Sequence, residues 1–249
     1  MRPALLILAL SAGAAAAEPD ITGTWDYQGR VEAVRDINTN KPPAVPEVQA
    51  LFDKRARLAA AGVTRRVANM LCLPTGFPSM MQWKSPIVVL QTKGRVTIIS
   101  EHDPGNDEPR TIYLNKTMPA ELDPSWNGYS VARWEGDTLV IQTAGLNDRG
   151  GVFGLPRGES TKITERLFLQ DGGKTLIDQV TVNDPKTLTK PWTVTLKYSR
   201  MPEDTERFEA VCEPDLEALR ATDLAALKET DVEAARMLDP ALAYNPGGR

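Results

Sequence analysis

The sequence predicts a mainly β protein in which an antiparallel meander forms a barrel or a strongly curved sheet. Between residues 87 and 212, short β-branched and aromatic runs alternate with glycine-containing turns. Such turns cannot join parallel strands, so the sheet must be largely antiparallel. About ten strands at regular spacing, with no βαβ pattern, favour closure into a barrel. The chain of 249 residues with 41% hydrophobic content suits one all-β domain of this size.

Residues 1–17 have the pattern of a secretory signal peptide. Arg2 precedes a short apolar run that ends in small residues before a predicted cut after Ala17. The run is shorter than the roughly 20 residues that span a bilayer. We therefore expect a periplasmic or secreted single domain, residues 18–249, without a membrane span after cleavage. An uncleaved anchor is the alternative.

The elements before the strand-rich region are a strand and a helix. Alternation with aromatic residues predicts a first strand from about Thr22 to Ala33. Apolar residues at helical spacing predict a helix over 46–61, which Gly62 ends. Residues 69–86, punctuated by proline and glycine, read as a loop.

The strand-rich region is expected to consist of consecutive hairpins, followed by a helical extension over 216–243. The predicted strands are 87–91, 95–102, 110–115, 128–134, 138–146, 160–170, 174–184, 192–201 and 205–212.

Glu135 and Asp137 flank Gly136 between two β-prone runs. A tight hairpin explains all three residues, because the glycine accepts a positive φ and the aspartate can bind turn amides. We interpret these acids as turn residues. A catalytic carboxylate pair at a strand end is the alternative.

The chain contains two cysteines, Cys72 and Cys212. In an oxidising compartment an isolated pair is more often a disulfide than a metal site, which normally requires four ligands. We expect a Cys72–Cys212 bond that joins an early irregular segment to the last strand.

Several classes of partner and cofactor are disfavoured. The net charge is −4 and the basic residues are scattered, so no footprint for nucleic acid is present. No glycine-rich phosphate loop appears, which argues against nucleotide cofactors. His102 is the single histidine, so a histidine-rich metal site is impossible. We expect neither a metal nor a cofactor.

His102 follows Glu101 at a predicted strand end. A histidine beside a carboxylate can act as a general acid or base near neutral pH. We favour a solvated loop histidine over this catalytic role.

Two predicted strands each carry an acid within an apolar row. The rows are Ile163, Leu167 and Leu169 with Glu165, and Leu176, Val180 and Val182 with Asp178. A charge on an apolar face must be paired, neutralised or hydrated.

The hairpin register decides what these acids do. With a three-residue turn over 171–173, Arg166 stands opposite Asp178 as a structural ion pair. A shift by one residue sets Leu167 opposite Asp178 and brings Glu165 onto the same face. That second register gives a pair of carboxyl groups with a raised pKa. We favour the first.

A small-molecule site is predicted from aromatic residues beside turns and from polar residues inserted into apolar rows. The expected apolar contacts are Trp25, Trp83, Trp126, Tyr129 and Trp134, and the expected polar contacts are Arg110, Tyr113 and Arg133.

Two resemblances accompany these patterns. "GTW" near the mature start resembles the G-x-W opening of lipocalin and related calycin barrels, in which the tryptophan closes one barrel end. "CLPTGFPSMM", "GYSVARWEGDTLVIQT", "NDPKTLTKPWTV" and "FEAVCE" are similar to an uncharacterised family of secreted bacterial proteins, over about residues 72–213. Ala132 and Gln142 depart from its pattern, which tends to have Gly and Asp there. The resemblance implies the fold, export and the cysteine pair, and no reaction.

Three functional hypotheses follow. The leading one is an exported barrel that holds a small apolar or aromatic molecule. The second is an enzyme without metal or nucleotide, a lyase, isomerase or hydrolase, with Glu101, His102, Glu165 and Asp178 as candidate catalytic residues. The third is a structural envelope protein without a ligand.

Overall fold

The computed structural model describes residues 18–28, 41–60, 72–82, 85–100, 109–206 and 212–213. These ranges contain one α-helix and eleven strands. The helix is α1 (Pro46–Ala60), and the strands are β1 (Gly23–Tyr27), β2 (Ile87–Gln91), β3 (Arg95–Ser100), β4 (Arg110–Leu114), β5 (Tyr129–Glu135), β6 (Thr138–Ala144), β7 (Gly151–Val152), β8 (Leu155–Pro156), β9 (Lys162–Gln170), β10 (Thr175–Asn183) and β11 (Trp192–Arg200).

Nine of the strands close into a barrel in the order β1-β11-β10-β9-β6-β5-β4-β3-β2, while β7 and β8 pair separately. A ring in which every neighbour is antiparallel needs an even number of strands, because the direction alternates at each step. Nine strands therefore require a parallel pair, which is β4 with β5. The connection over 115–128 is long enough for the return that parallel neighbours need. The predicted mainly β barrel is confirmed, and this pair is the exception to its antiparallel pattern.

The two barrel ends differ in their connections. At the turn end, tight turns join β2 to β3, β5 to β6 and β9 to β10. The opposite end, here called the loop end, carries the long connections from β6 to β9 and from β10 to β11. Backbone hydrogen bonds join residues 43–45 to residues 187–189 within the connection from β10 to β11. Arg55 in α1 donates to the carbonyl of Gly154, so the helix lies at the loop end.

Trp25 is fully buried at the turn end. Its indole Nε1 donates to the carbonyl of Ile21 at 3.1 Å, and the guanidinium of Arg200 lies 4.1 Å from the ring centroid. Arg200 also donates to the carbonyls of Thr22 and Gly173. This arrangement places a buried tryptophan in the first barrel strand, in keeping with the resemblance of "GTW" to the G-x-W pattern.

The predicted helix over 46–61 and the Cys72–Cys212 disulfide are confirmed, the latter with Cα atoms 5.8 Å apart. The first strand is shorter than expected, because Gln28 already lies beyond β1. The signal peptide, the C-terminal helices and residues 207–211 of the last predicted strand fall outside the described ranges, while residues 205–206 are not in a strand. In the part of the chain that the structure describes, no helix is both long and apolar enough to cross a membrane.

Glu135 and Asp137 lie at an exposed hairpin turn, as we favoured. Glu135 pairs with Thr138 across the turn, and Gly136 has a φ of 60°. The Glu135 carboxylate accepts hydrogen bonds from Arg133 at 2.5 Å and from Arg166 at 3.5 Å, and all three side chains are substantially exposed. The acids serve the turn and the strand surface.

The register that we favoured for the β9–β10 hairpin is wrong. Gln170 pairs with Thr175, which places Leu167 opposite Asp178 and Gln179 opposite Arg166. The physical reason is burial, because only this register puts both apolar rows on the same face. Asp178 and Glu165 therefore both face the barrel interior.

Candidate functional site

The interior face of the barrel carries charged and hydroxyl side chains among apolar residues. Strand alternation directs Arg110 of β4, Glu165 of β9 and Asp178 of β10 inward, and each is at most 1% exposed. Ser130 and Thr143 face inward from β5 and β6 and are also buried. Buried polar groups in folded proteins are nearly always hydrogen-bonded, so each member of this set that lacks a partner calls for an explanation. We call these five residues the polar cluster.

Arg110 is the centre of the polar cluster. Its Nη1 donates to Glu165 Oε1 at 2.8 Å and its Nη2 to Glu165 Oε2 at 2.5 Å, the two-pronged geometry that matches guanidinium to carboxylate. Nη2 also donates to the hydroxyls of Ser130 and Thr143 at 3.3 and 3.2 Å. These hydroxyl oxygens are 2.8 Å apart. The charge of Arg110 is therefore compensated locally.

Residues 76–82, here called the cover segment, close the barrel over this cluster. The Phe77 ring lies on the Arg110 guanidinium, with 3.5 Å between Cζ and the ring centroid. Met80 and Met81 are buried in the same core, and the Met81 carbonyl accepts a hydrogen bond of 2.6 Å from the Tyr198 hydroxyl. The chain's own side chains thus occupy the loop end of the interior.

Other residues at the loop end hold the cover segment in place. The Phe77 amide donates to Asn127 Oδ1 at 3.0 Å and to the Trp126 carbonyl at 3.2 Å. The buried Arg157 guanidinium donates to the carbonyl of Phe77 and to the carbonyl and side chain of Asn147. The position of Phe77 is therefore fixed by hydrogen bonds as well as by its contact with Arg110.

Asp178 differs from the other members of the polar cluster. It is completely buried, and neither carboxylate oxygen makes a hydrogen bond of normal geometry with a described residue. Burial raises the pKa of Asp178 well above its usual range, the nearby charge of Glu165 raises it further, Arg110 opposes the shift, and a hydrogen-bonding interaction with the Glu165 side chain also raises the pKa. The neutral carboxylic acid is therefore the favoured form, and it can donate a hydrogen bond.

Tyr198 borders the same region from β11. Its pKa is raised well above the usual value, first by burial and then by the neighbouring Asp178. Its hydroxyl is already committed to the Met81 carbonyl. Tyr198 therefore stays neutral and links the barrel wall to the cover segment.

The predicted ligand contacts divide between the two faces of the barrel. Arg110 and Trp25 lie inside, and the half-buried Trp134 packs against the same core. The half-buried Trp126 lies beside the cover segment. Their ligand-binding roles stay predictions.

Three other predicted contacts lie on the outer face of the barrel, and their ligand-binding roles stay untested predictions. Tyr113, Tyr129 and Arg133 alternate with inward residues of β4 and β5. The two tyrosine rings stack with centroids 5.0 Å apart, and Arg133 pairs with Glu135. They do not line the interior. The remaining candidates, Glu101, His102 and Trp83, lie outside the described residues.

The sequence reasoning missed Phe77, Thr143 and Tyr198. Thr143 shares a face with Leu139 and Ile141, so alternation could have identified it. Phe77 comes from a loop, and no local pattern indicates that its ring reaches Arg110. Within the described ranges, no three His, Cys, Asp or Glu side chains gather where they could hold a metal ion.

The strand order defines a closed nine-stranded β-barrel, and the polar cluster gives it a polar interior. No family model matches the sequence, and no curated protein matches it. The chain is similar to one solved structure, that of zebrafish ileal bile acid-binding protein complexed with cholic acid. The likeness has a TM-score of 0.33 at 10% identity and covers 72% of this chain and 98% of that chain. The class therefore rests on the topology of this chain itself.

Proposed function

We propose that the protein binds a small, largely apolar molecule inside the barrel, next to Arg110, Glu165 and Asp178. The observation that carries the proposal is Asp178, a completely buried carboxyl group whose two oxygens make no hydrogen bond of normal geometry with a described residue and whose polar neighbour, Glu165, is already held by Arg110. A buried polar group in this state costs about 1–3 kcal/mol and calls for an explanation. A ligand that hydrogen-bonds to Asp178 supplies one.

The surroundings of Asp178 support a ligand of mixed character. Binding sites for small molecules are mostly apolar and contain a few convergent polar groups. Apart from Glu165 and Asp178, the interior rows of β9, β10 and β11 are aliphatic or aromatic, and Arg110, on which the polar cluster converges, lies under the cover segment at the loop end. The ligand would enter there and displace part of the cover segment.

Export from the cytoplasm is part of the proposal. It is supported by the signal-like pattern of residues 1–17 and by the Cys72–Cys212 disulfide, a bond typical of oxidising compartments. The resemblance to secreted bacterial proteins over residues 72–213 points the same way. We propose the periplasm or the extracellular medium as its location.

Proton-transfer catalysis is the second candidate function. Glu165 and Asp178 share the interior face, and the charge of Glu165 is one cause of the raised pKa of Asp178. Carboxyl groups in unlike environments can serve as a base and an acid in one reaction. The two-pronged bond from Arg110 already engages both oxygens of Glu165.

The binding proposal is tested with two fluorescent probes, neutral Prodan (6-propionyl-2-dimethylaminonaphthalene) and anionic 8-anilinonaphthalene-1-sulfonate. We expect the full-length oxidised protein to bind at least one of them. Ala132→Trp fills the interior from β5 and should abolish binding, whereas Arg133→Trp places the same bulk on the outer face and should not. Circular dichroism checks the fold, and Ala132→Phe is the milder variant.

Native mass spectrometry of protein purified from the periplasm complements the probes. A retained molecule that the protein releases chemically unaltered supports the binding proposal. Conversion of that molecule by the wild-type protein, but not by Asp178→Asn, supports proton-transfer catalysis. A protein that retains nothing and binds neither probe contradicts both and leaves a structural role.

A further inference from the structure

The charges inside the barrel cancel without a ligand. Arg110 carries one positive charge, and Glu165 balances it through two hydrogen bonds. Asp178 is fully buried beside them, and its raised pKa favours the uncharged form. The polar cluster is thus neutral as a whole.

A neutral cluster discriminates against charged ligands. An anion that entered the barrel would lose its hydration and find the charge of the Arg110 guanidinium already balanced by Glu165, which leaves only the donor Nε of Arg110 without a partner among the described residues. The transfer of an uncompensated charge into an apolar interior is far more costly than that of a neutral hydrogen-bonding group. A ligand whose polar group is a ketone, a phenol or a similar uncharged oxygen group avoids this cost.

The Phe77 ring indicates the shape of group that fits above Arg110. It lies on the guanidinium at 3.5 Å, a distance at which the face of the cation contacts a flat apolar surface. Phe77 belongs to the cover segment rather than to the barrel wall. A ligand can therefore replace this ring without breaking a strand.

We propose that the ligand is a neutral molecule whose flat ring takes the place of the Phe77 ring on Arg110 and whose oxygen hydrogen-bonds to Asp178. This inference rests on the proposed function and narrows it to uncharged aromatic ketones, phenols and similar compounds. Carboxylates and other anions, including anionic lipids, are excluded from this class of ligands.

A matched pair of competitors tests the inference. 2-Acetylnaphthalene and 2-naphthoate share the same ring and differ in charge, and each is titrated against bound Prodan at neutral pH. In wild-type protein we expect the ketone to compete at least about tenfold more tightly than the carboxylate. In Glu165→Gln/Asp178→Asn, Arg110 loses its counter-charge, and we expect the preference to reverse.

The control carries the same two substitutions at the exposed turn, Glu135→Gln/Asp137→Asn, and should keep the wild-type preference. If the interior double variant does not fold, Glu165→Gln alone should still reduce the preference for the ketone over the carboxylate. A carboxylate that competes as well as the ketone in wild-type protein overturns the inference and leaves the proposed function intact. A preference for the ketone that persists unchanged in the folded interior variant also overturns it. Failure of both Prodan and 8-anilinonaphthalene-1-sulfonate to bind the barrel removes the proposed function itself.

Discussion

Arg110 and Glu165 form a two-pronged ion pair in the barrel interior, with hydrogen bonds of 2.8 and 2.5 Å and side chains that are 0% and 1% exposed. They are 55 residues apart in the chain and lie on strands that are not neighbours in the barrel. The pair therefore bridges the interior from one wall to another. It also sets the charge that a ligand next to Asp178 would meet.

Arg110→Met should destabilise the protein strongly, because Glu165 would remain buried without a counter-charge. Removal of one partner of a buried ion pair costs about 3–5 kcal/mol. Urea denaturation measures this loss in the free energy of unfolding. Arg133→Met breaks the exposed pair with Glu135 and should cost at most about 1 kcal/mol.

The double variant Arg110→Met/Glu165→Met should recover much of the stability that the single variant loses, since no charge then remains unpaired. Equal losses for Arg110→Met and Arg133→Met would show that the interior pair is solvated and contradict its burial.

Asp178 should make the protein less stable as the pH rises. Its pKa in the folded state lies above the ordinary value of 3.8, so above about pH 4 the unfolded chain releases a proton that the folded protein retains. The stability advantage of Asp178→Asn over wild type should grow by up to about 1.4 kcal/mol per pH unit until the folded pKa is passed. Urea denaturation between pH 3.5 and 8 measures the difference, and an advantage that does not vary with pH would rule out the shift.

Loss of the disulfide should lower stability by more than most single substitutions do. The bond closes a loop with a sequence separation of 140, for which chain entropy gives about 5 kcal/mol. Cys72→Ser/Cys212→Ser should therefore have a much lower urea midpoint than the oxidised protein. The reduced wild-type protein is the matched comparison and should resemble the variant. A reduced protein as stable as the oxidised one would show that the cross-link does not constrain the unfolded chain.

Gly76→Ala should displace the cover segment. Gly76 has a φ of +67°, and an added Cβ would lie 2.5 Å from the Trp126 carbonyl oxygen. We expect a loss of at least about 2 kcal/mol together with a changed near-ultraviolet circular dichroism spectrum. Gly94→Ala is the control, because nothing lies within 4 Å of its added Cβ, and it should change stability by at most about 0.5 kcal/mol. A similar loss of stability at both glycines would contradict the close packing of residue 76 against Trp126.

Phe77→Ala should lower the free energy of unfolding and increase the affinity for Prodan. The lost ring costs about 3–5 kcal/mol in a packed core, but it is also the group that competes with a ligand for Arg110. Fluorescence titration measures the affinity, and Phe77→Leu is the alternative if the alanine variant does not fold. Unchanged or weaker binding in a folded variant would show that a ligand does not use this position.

The β9–β10 hairpin shows where the sequence reasoning succeeded and where it failed. Both strands are evident from alternation, and their ends fall within two residues of the predicted ones. Residues 171–173 are compatible with more than one turn length, so the turn does not select the register. The two apolar rows do, because only the observed register buries both, and that argument was available from the sequence.

The sequence by itself determined the short strands, the helix at 46–60, the disulfide and the presence of acids in apolar rows, because these depend on residue type and local periodicity. Only the tertiary structure decided that Arg110 meets Glu165, that Tyr113 and Arg133 lie outside, and that Phe77 covers the cluster. Those relationships depend on how a curved sheet closes and on where a loop returns. Closure couples strands distant in sequence, and no local pattern encodes that coupling.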